Sequence, residues 1–178
     1  DVDGNKILDF MMGFGALLLG HNNRDVALEV IKQLESGSML GVTTELFIDY
    51  LAAVQKAMPS MKKIRLCNSG TEATMHAIRT ARAYTGREIV VCVRGQYHGW
   101  HSWHAATREE CPGVPLSMKG LVRQFLYNDL ESLDRAILAT HPANVTNGIP
   151  AGVAAIILEP TLIEPPAPGF LEGVRERA

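Results

Sequence analysis

The sequence predicts an α/β protein in which a mainly parallel sheet is flanked by helices. Short apolar segments typical of strands alternate with segments whose apolar residues recur at helical spacing. A predicted strand at 64–67, helix at 70–85 and strand at 88–93 follow one another closely enough to form a βαβ unit with parallel strands. Residues 152–158 are almost all apolar, as expected of a strand that helices cover on both faces.

The other elements follow from apolar spacing and from residues that end helices. Helices are predicted from Asp25 to near Gly37 and from Leu46 to Met58, just before Pro59. The rest of the chain adds a loop at 100–120, a strand at 121–127, a helix capped by Asn128 with Glu131 three residues later, and a helix starting near 168–169.

Composition favours a globular protein and excludes several other classes. The 178 residues suffice for a core, and we divide them into an amino-terminal segment, 1–45, and a main domain, 46–178. Basic residues are spread along a chain of net charge −2, so no nucleic-acid-binding face is expected. No apolar run approaches the roughly 18 residues of a membrane span, and the acidic start is unlike a signal peptide. We therefore expect no membrane contact and a cytoplasmic location.

The tetrapeptide Ser69-Gly70-Thr71-Glu72 opens the predicted helix directly after a predicted strand. Ser69 and Glu72 have the spacing of a capping box, so one interpretation is a well-capped helix. The first N–H groups of a helix also lack partners, Gly70 lets a ligand approach the backbone, and the helix dipole adds roughly half a positive charge there. The segment is therefore a candidate cradle for a phosphate group.

A second candidate segment, Tyr97-His98-Gly99, follows the predicted strand 88–93. Open α/β sheets bind ligands beyond the carboxyl ends of their strands. Tyr97 offers a planar face on which an aromatic cofactor ring could stack, and Gly99 would let that ring approach the backbone. The alternative is an ordinary exposed aromatic residue with its hydroxyl in water.

The histidines in and after this segment have a spacing that could bind a metal, but the neighbouring residues argue against a metal site. His98, His101 and His104 have the spacing H-x-x-H-x-x-H, which could place three imidazoles on one side of a helical turn. No nearby carboxylate or thiolate completes the set, and Trp100 and Trp103 interleave as packing residues. We therefore predict no metal.

Glu159 is the third candidate, because it emerges with Pro160 at the end of the apolar strand 152–158. Its carboxylate could orient a cofactor or a neighbouring group, and the alternative is a carboxylate in solvent. All three candidate segments are predicted to meet at one edge of the sheet.

These segments resemble those of class III (fold type I) pyridoxal-phosphate aminotransferases, in particular the branch that includes glutamate-1-semialdehyde 2,1-aminomutase. The resemblance covers nearly the whole chain. It departs from the aminomutase pattern at Trp100 and in the residues that follow Pro160. The matching segments are 1–5, 19–21, 44–46, 68–75, 97–99, 127–131, 159–160 and 165–172.

The resemblance implies a cofactor and roles for the candidate residues. It implies that Ser69, Gly70 and Thr71 hold the phosphate of pyridoxal 5′-phosphate, that Tyr97 stacks on the cofactor ring, and that His98 lies beside it. It further implies that the turn at 41–44 approaches a substrate site at a dimer interface. The resemblance also implies that the sheet belongs to an incomplete fold type I large domain. It places Glu159 in the cofactor site and implies an amino acid or keto acid as substrate.

Two groups that the resembling enzymes need are not identifiable in the sequence. Amino transfer requires a lysine that carries the cofactor and an acid that keeps the pyridine nitrogen protonated. Five of the lysines lie on predicted turns or polar helix faces, and only Lys119 lies in a loop that could close over a site. We expect no catalytic residue in the chain and no transamination by the chain alone.

Three interpretations remain open at this point. The first is a fragment of an aminotransferase or aminomutase that is a homodimer when whole, or one piece of a split enzyme completed by another chain. The second is a non-catalytic module that binds phosphate or pyridoxal phosphate and uses an unpaired sheet edge to bind a partner. The third is a small complete α/β protein that binds a phosphorylated metabolite.

Overall fold

The computed structural model describes residues 1–141, 152–161 and 163–178. These residues form two compact units, Asp1–Ile64 and Arg65–Ala178. Residues 142–151 and Leu162 lie outside the described residues. Within the described ranges, no helix has the length and apolar character needed to cross a membrane.

The first unit contains two helices joined by loops. α1 spans Arg24–Ser36, with the side chain of Asn23 capping its start and Gly37, at φ 101°, ending it. α2 spans Glu45–Ala57 and starts at Thr44, whose hydroxyl accepts a backbone N–H of the first turn. Both predicted helices are confirmed, although neither contains a buried residue.

The two compact units divide at a different point from the predicted segments. The predicted division after residue 45 falls at the start of α2, whereas the compact units divide after Ile64. The Gln55 side chain on α2 donates hydrogen bonds to the carbonyls of Met61 and Lys62, which ties this helix to the residues that follow it. The division after residue 45 stays a prediction.

The second unit is built on a three-stranded parallel sheet. β1 (Ile89–Val93) lies between β2 (Val122–Phe125) and β3 (Val153–Ile157) and pairs in parallel with both. Every residue of β1 is buried. The predicted parallel sheet is confirmed, and its three strands lie within the predicted ranges 88–93, 121–127 and 152–158.

Helices cover both faces of this sheet. Because successive strand residues point to opposite faces, Val90 and Cys92 of β1 pack with Ile78 on one side, and Val91 and Val93 pack with a separate cluster on the other. The helices of this unit, in chain order, are α3 (Gly70–Thr85), α4 (Ser102–Ala105), α5 (Leu116–Lys119), α6 (Leu130–Leu138) and α7 (Phe170–Arg177).

α3 supplies Ile78 on the first face, whereas α6 and α7 supply the cluster on the second. The prediction of a sheet flanked by helices is therefore confirmed. The predicted end of α3 is also confirmed, because Gly86 closes the helix in the left-handed conformation.

The strand predicted at 64–67 does not form. A strand requires a neighbour to complete its ladder of hydrogen bonds, and the sheet formed by the described residues contains only β2, β1 and β3. Within the described residues, 64–67 pairs with no strand and leads directly into α3. The βαβ unit predicted at 64–93 therefore lacks its first strand.

The predicted cap of α6 is wrong by one residue. Asp129 is the cap, and its carboxylate accepts the N–H of Ser132 at 2.8 Å. Asn128 instead adopts a φ of 61°, and its side chain bonds to the backbone of Pro165 and Ala167. The sequence spacing missed this role because it depends on a distant segment of the chain.

Candidate functional site

The start of α3 is a complete capping box, as predicted. The hydroxyl of Ser69 accepts the N–H of Glu72 at 3.2 Å. The carboxylate of Glu72 accepts the N–H groups of Asn68 and Ser69, at 2.7 and 3.1 Å. Because the Ser69 hydroxyl serves here as an acceptor, its proton is still available to donate to a ligand.

Two N–H groups at this helix start stay open. Among the described residues, the N–H groups of Gly70 and Thr71 have no acceptor, since Glu72 satisfies only the two residues before them. A side chain added at Gly70 would meet no atom within 4 Å, so the space beside these groups is free. The cradle is therefore shaped to accept an anionic oxygen.

The second candidate segment lies against this cradle. Gly99 has a φ of 102°, and a Cβ added there would stand 2.9 Å from the Cα of Thr71. The N–H of Trp100 donates to the Thr71 hydroxyl at 3.3 Å, and the Thr74 hydroxyl lies 2.8 Å from the carbonyl oxygen of His98. The loop after β1 and the start of α3 thus form one continuous surface, although no strand precedes α3.

Glu159 reaches the same loop from the end of β3. Its carboxylate accepts the N–H of Tyr97 at 2.9 Å. The side-chain amide of Gln96 pairs with the Glu159 backbone in both directions, accepting its N–H at 2.7 Å and donating to its carbonyl at 3.1 Å. These three bonds join the ends of β1 and β3 and fix the backbone of Tyr97, a residue that is 56% exposed.

A buried cluster of rings supports the loop from within. His98, Trp103 and His104 are each at most 5% exposed. The rings of His98 and Trp103 stack with 6.2 Å between centroids, and the ring of His104 stands at 89° to that of Tyr97 with 5.5 Å between centroids. Within the described residues, His98 Nε2 and His104 Nδ1 have no hydrogen-bond partner.

Burial keeps these histidines neutral. Desolvation lowers the pKa of His98 and of His101 below the usual histidine value. Desolvation also lowers the pKa of His104 to about 4, and unfavourable electrostatic interactions of a protonated His104 with His98, Arg108 and His101 contribute to this shift. At neutral pH the cluster is therefore a set of uncharged rings.

The histidine spacing does not build a metal centre in the described part of the chain. No group of three His, Cys, Asp or Glu side chains there is arranged to hold an ion. The Nε2 of His101 accepts the indole N–H of Trp103 at 2.8 Å and lies 3.1 Å from the Thr74 hydroxyl. This nitrogen is therefore occupied by hydrogen-bond contacts within the protein.

Lys119, the one lysine predicted to lie in a closing loop, sits in the short helix α5. Its ammonium group donates to the carbonyl of Glu109 at 3.2 Å and is exposed. That contact is typical of a surface lysine. It gives Lys119 no link to the cradle or to the Tyr97 loop.

The structure brings together the six residues that the sequence selected, and it adds three more. Thr71 contacts the loop that carries Tyr97 and His98, and Glu159 bonds to the Tyr97 backbone. Sequence analysis missed Thr74, Gln96 and His104. Only the repeated histidine spacing pointed to His104, and that spacing does not predict its ring contacts. The cofactor-binding roles of Ser69, Gly70, Thr71, Tyr97, His98 and Glu159 stay predictions.

Comparison with known proteins gives this arrangement a context. A family model described as "Aminotransferase class-III" matches residues 1–178. A curated relative, the glutamate-1-semialdehyde 2,1-aminomutase of Syntrophomonas wolfei, is 38% identical over 99% of this chain. The match covers 42% of that relative, so the chain spans less than half of its length.

Solved structures share the fold over almost the same range. An omega-transaminase from Sphaerobacter thermophilus is 30% identical, with a TM-score of 0.82 over 96% of this chain and 41% of its own. A glutamate-1-semialdehyde-aminomutase from Pseudomonas aeruginosa, solved in complex with PMP, is 28% identical, with a TM-score of 0.80 over 99% of this chain and 39% of its own.

Proposed function

Since this chain belongs to the class-III aminotransferase family, we propose that it forms the phosphate-binding and ring-stacking part of a pyridoxal 5′-phosphate site in an enzyme that transfers an amino group. The relatives support the reaction class, because they are named as transaminases and as an aminomutase. The cofactor is supported by the relative solved with PMP.

One observation carries the proposal: the contact between Thr71 and Gly99. It puts the open N–H groups of Gly70 and Thr71 next to the loop that exposes the Tyr97 ring. A ligand that fits both features needs an anionic group and a flat aromatic ring held a short distance apart. Pyridoxal phosphate has this combination, whereas inorganic phosphate or a sugar phosphate uses only the cradle.

The residues present fit such a cofactor. Gly70 and Thr71 would bind phosphate oxygens through backbone N–H groups, with the Ser69 hydroxyl as a further donor. Tyr97 would hold the ring by stacking, and Glu159 fixes the Tyr97 backbone through the bond described above. His98 would lie at the ring's side as a neutral imidazole. When bound, pyridoxal phosphate supplies an electron sink for chemistry at an amino-bearing carbon.

The finer assignments are also proposals. We propose an amino acid or keto acid as substrate, a homodimer as the working assembly, and a cytoplasmic location. The first follows from the reaction class of the relatives. The second is supported by α1 and α2, which have no buried residue and expose apolar side chains including Val26, Leu34 and Leu46.

The test measures binding of pyridoxamine 5′-phosphate, which has no aldehyde and so reports the site without any covalent attachment. The assay uses the full-length protein that contains this sequence. We expect binding that weakens roughly tenfold in Tyr97→Ala, because stacking contributes about 1.4 kcal/mol. A protein that binds inorganic phosphate as tightly as pyridoxamine 5′-phosphate would instead be a simple phosphate-binding module.

A second variant tests the cradle without disturbing the fold. Gly70→Ala adds a methyl group where no neighbouring atom lies within 4 Å, at a helical position that alanine favours. We expect unchanged thermal stability with weaker binding of both pyridoxamine 5′-phosphate and inorganic phosphate. Unchanged affinity in Gly70→Ala and Tyr97→Ala together would overturn the proposed function.

A further inference from the structure

His104 is a buried side chain at the candidate site that the proposed function leaves without a role. It is 4% exposed and sits on the short helix α4. Its ring contacts three others, with centroid distances of 5.5 Å to Tyr97, 5.4 Å to His98 and 5.5 Å to Trp103. His104 is thus the ring that joins Tyr97, the exposed member of the cluster, to its buried members.

A hydrogen bond adds to these ring contacts. The backbone N–H of His98 donates to Nε2 of His104 at 3.4 Å, so this nitrogen carries no proton. Because His104 is neutral at ordinary pH, its proton resides on Nδ1. The same side chain therefore contacts the Tyr97 ring and accepts the N–H of the peptide that follows Tyr97.

The Tyr97 side chain has few other supports. Its backbone accepts support from Glu159, but the residue is 56% exposed, and within the described residues its ring has one aromatic contact, with His104. The ring is therefore restrained by His104 while much of the residue stays accessible to a ligand.

We propose that His104 is a positioning residue: it holds the Tyr97 ring and the peptide between Tyr97 and His98 in the orientation that lets a flat heteroaromatic ring stack on Tyr97. This inference rests on the proposed function, because it assigns His104 to the ring half of the same site. It predicts that substitutions of His104 change the binding of the cofactor ring but not the binding of phosphate, and that they do so through Tyr97.

Two substitutions separate this role from simple packing. In His104→Gln, the side-chain oxygen lies about as far from the backbone as Nε2 and can accept the His98 N–H. In His104→Leu, the volume is kept but the acceptor is lost. We expect the affinity for pyridoxamine 5′-phosphate to stay within about twofold in His104→Gln and to fall about fivefold in His104→Leu.

A double-mutant cycle shows whether the effect passes through Tyr97. In the Tyr97→Ala background, His104→Leu should change the affinity by less than about twofold, since the ring it positions is gone. Affinity for inorganic phosphate should be equal in all these variants. The exposed His76 on α3 provides the matched control, and His76→Leu should leave both affinities unchanged.

The outcomes are distinguishable. A parent protein that fails to bind pyridoxamine 5′-phosphate overturns the proposed function and this inference with it. Normal binding in the parent, with a fivefold loss that persists in the Tyr97→Ala background or with His104→Gln as weak as His104→Leu, overturns this inference alone. If His104→Leu does not fold, His104→Asn takes its place, because its shorter amide cannot reach the His98 N–H.

Discussion

The two halves of the candidate site are built in different ways. The phosphate cradle is a helix start made of backbone groups, and the box that organises it lies within the five residues from Asn68 to Glu72. The ring loop is held by side chains from separate parts of the chain, including Glu159 after β3 and His104 on α4. The cradle is local and solvent-facing, whereas the loop depends on long-range contacts with buried groups.

This difference determines how each half responds to change. A helix start tolerates substitution, because water can replace a lost cap partner at modest cost. A buried, cross-linked loop does not, because each lost partner leaves a polar group without water or protein to bond. Substitutions in the ring loop should therefore lower stability as well as binding, while substitutions in the cradle should mainly lower binding.

The junction between the halves should show the largest effect. In Gly99→Ala, the new Cβ would lie 2.9 Å from the Thr71 Cα, at a φ of 102° that alanine rarely adopts. We expect a loss of about 4 kcal/mol in the free energy of unfolding, measured by chemical denaturation. Gly95→Ala is the matched control: it has a similar φ of 84° but no atom within 4 Å, so its loss should be about 1 kcal/mol. Equal losses would show that backbone conformation, not the contact with Thr71, sets the cost.

Gln96 tests the long-range support of the loop. Gln96→Leu removes the hydrogen-bond partners of the Glu159 N–H and of the Glu159 carbonyl, which the side-chain amide satisfies at 2.7 and 3.1 Å. We expect the free energy of unfolding to fall by about 3 kcal/mol, because two partly buried backbone groups lose their bonds. Gln124→Leu on β2 makes the same chemical change without a described partner and should cost less than about 1 kcal/mol. Similar losses in both variants would contradict the cross-link between β1 and β3.

The same contrast explains what the sequence could predict. Ser69 and Glu72 are three residues apart, so their capping box follows from spacing alone. The continuous apolar run of β1 likewise follows from its own residues. Gln96 and Glu159 are far apart in sequence, and no local pattern records that the glutamine amide faces the Glu159 peptide. His104 was visible as part of a repeat, but its ring contacts depend on the tertiary position of α4.

The strand predicted at 64–67 illustrates the other limit. Its apolar residues have the composition of a strand, yet strand formation depends on a neighbouring chain segment to accept its hydrogen bonds. The described residues place β2 and β3 on either side of β1, and neither pairs with 64–67. The prediction that Asn128 caps α6 was wrong for a related reason, because the Asn128 side chain bonds to the backbone of Pro165 rather than to its own helix.

The pH dependence of stability should come from the ring loop and not from the cradle. His104 takes up a proton at about pH 4 when folded and near pH 6.5 when unfolded, so acid favours the unfolded state. Its contribution is present above pH 6.5 and is lost as the pH falls toward 4, by about 2 kcal/mol between pH 7 and pH 5. Denaturation curves of the parent should therefore show a steeper loss over this range than those of His104→Gln. Parallel curves would contradict a neutral, buried His104.

The cradle itself should show the smallest change in stability and a separate change in binding. Ser69→Ala removes the acceptor of the Glu72 N–H, and loss of such a cap costs about 1 kcal/mol. Asn23→Ala, which removes the equivalent cap of α1, should cost a similar amount and provides the control. The two variants should differ in ligand binding. Because the Ser69 hydroxyl can donate to a phosphate oxygen, only Ser69→Ala should lower the affinity for pyridoxamine 5′-phosphate, by roughly fivefold. Equal affinities in the two variants would restrict the Ser69 side chain to capping and leave phosphate binding to the N–H groups of Gly70 and Thr71.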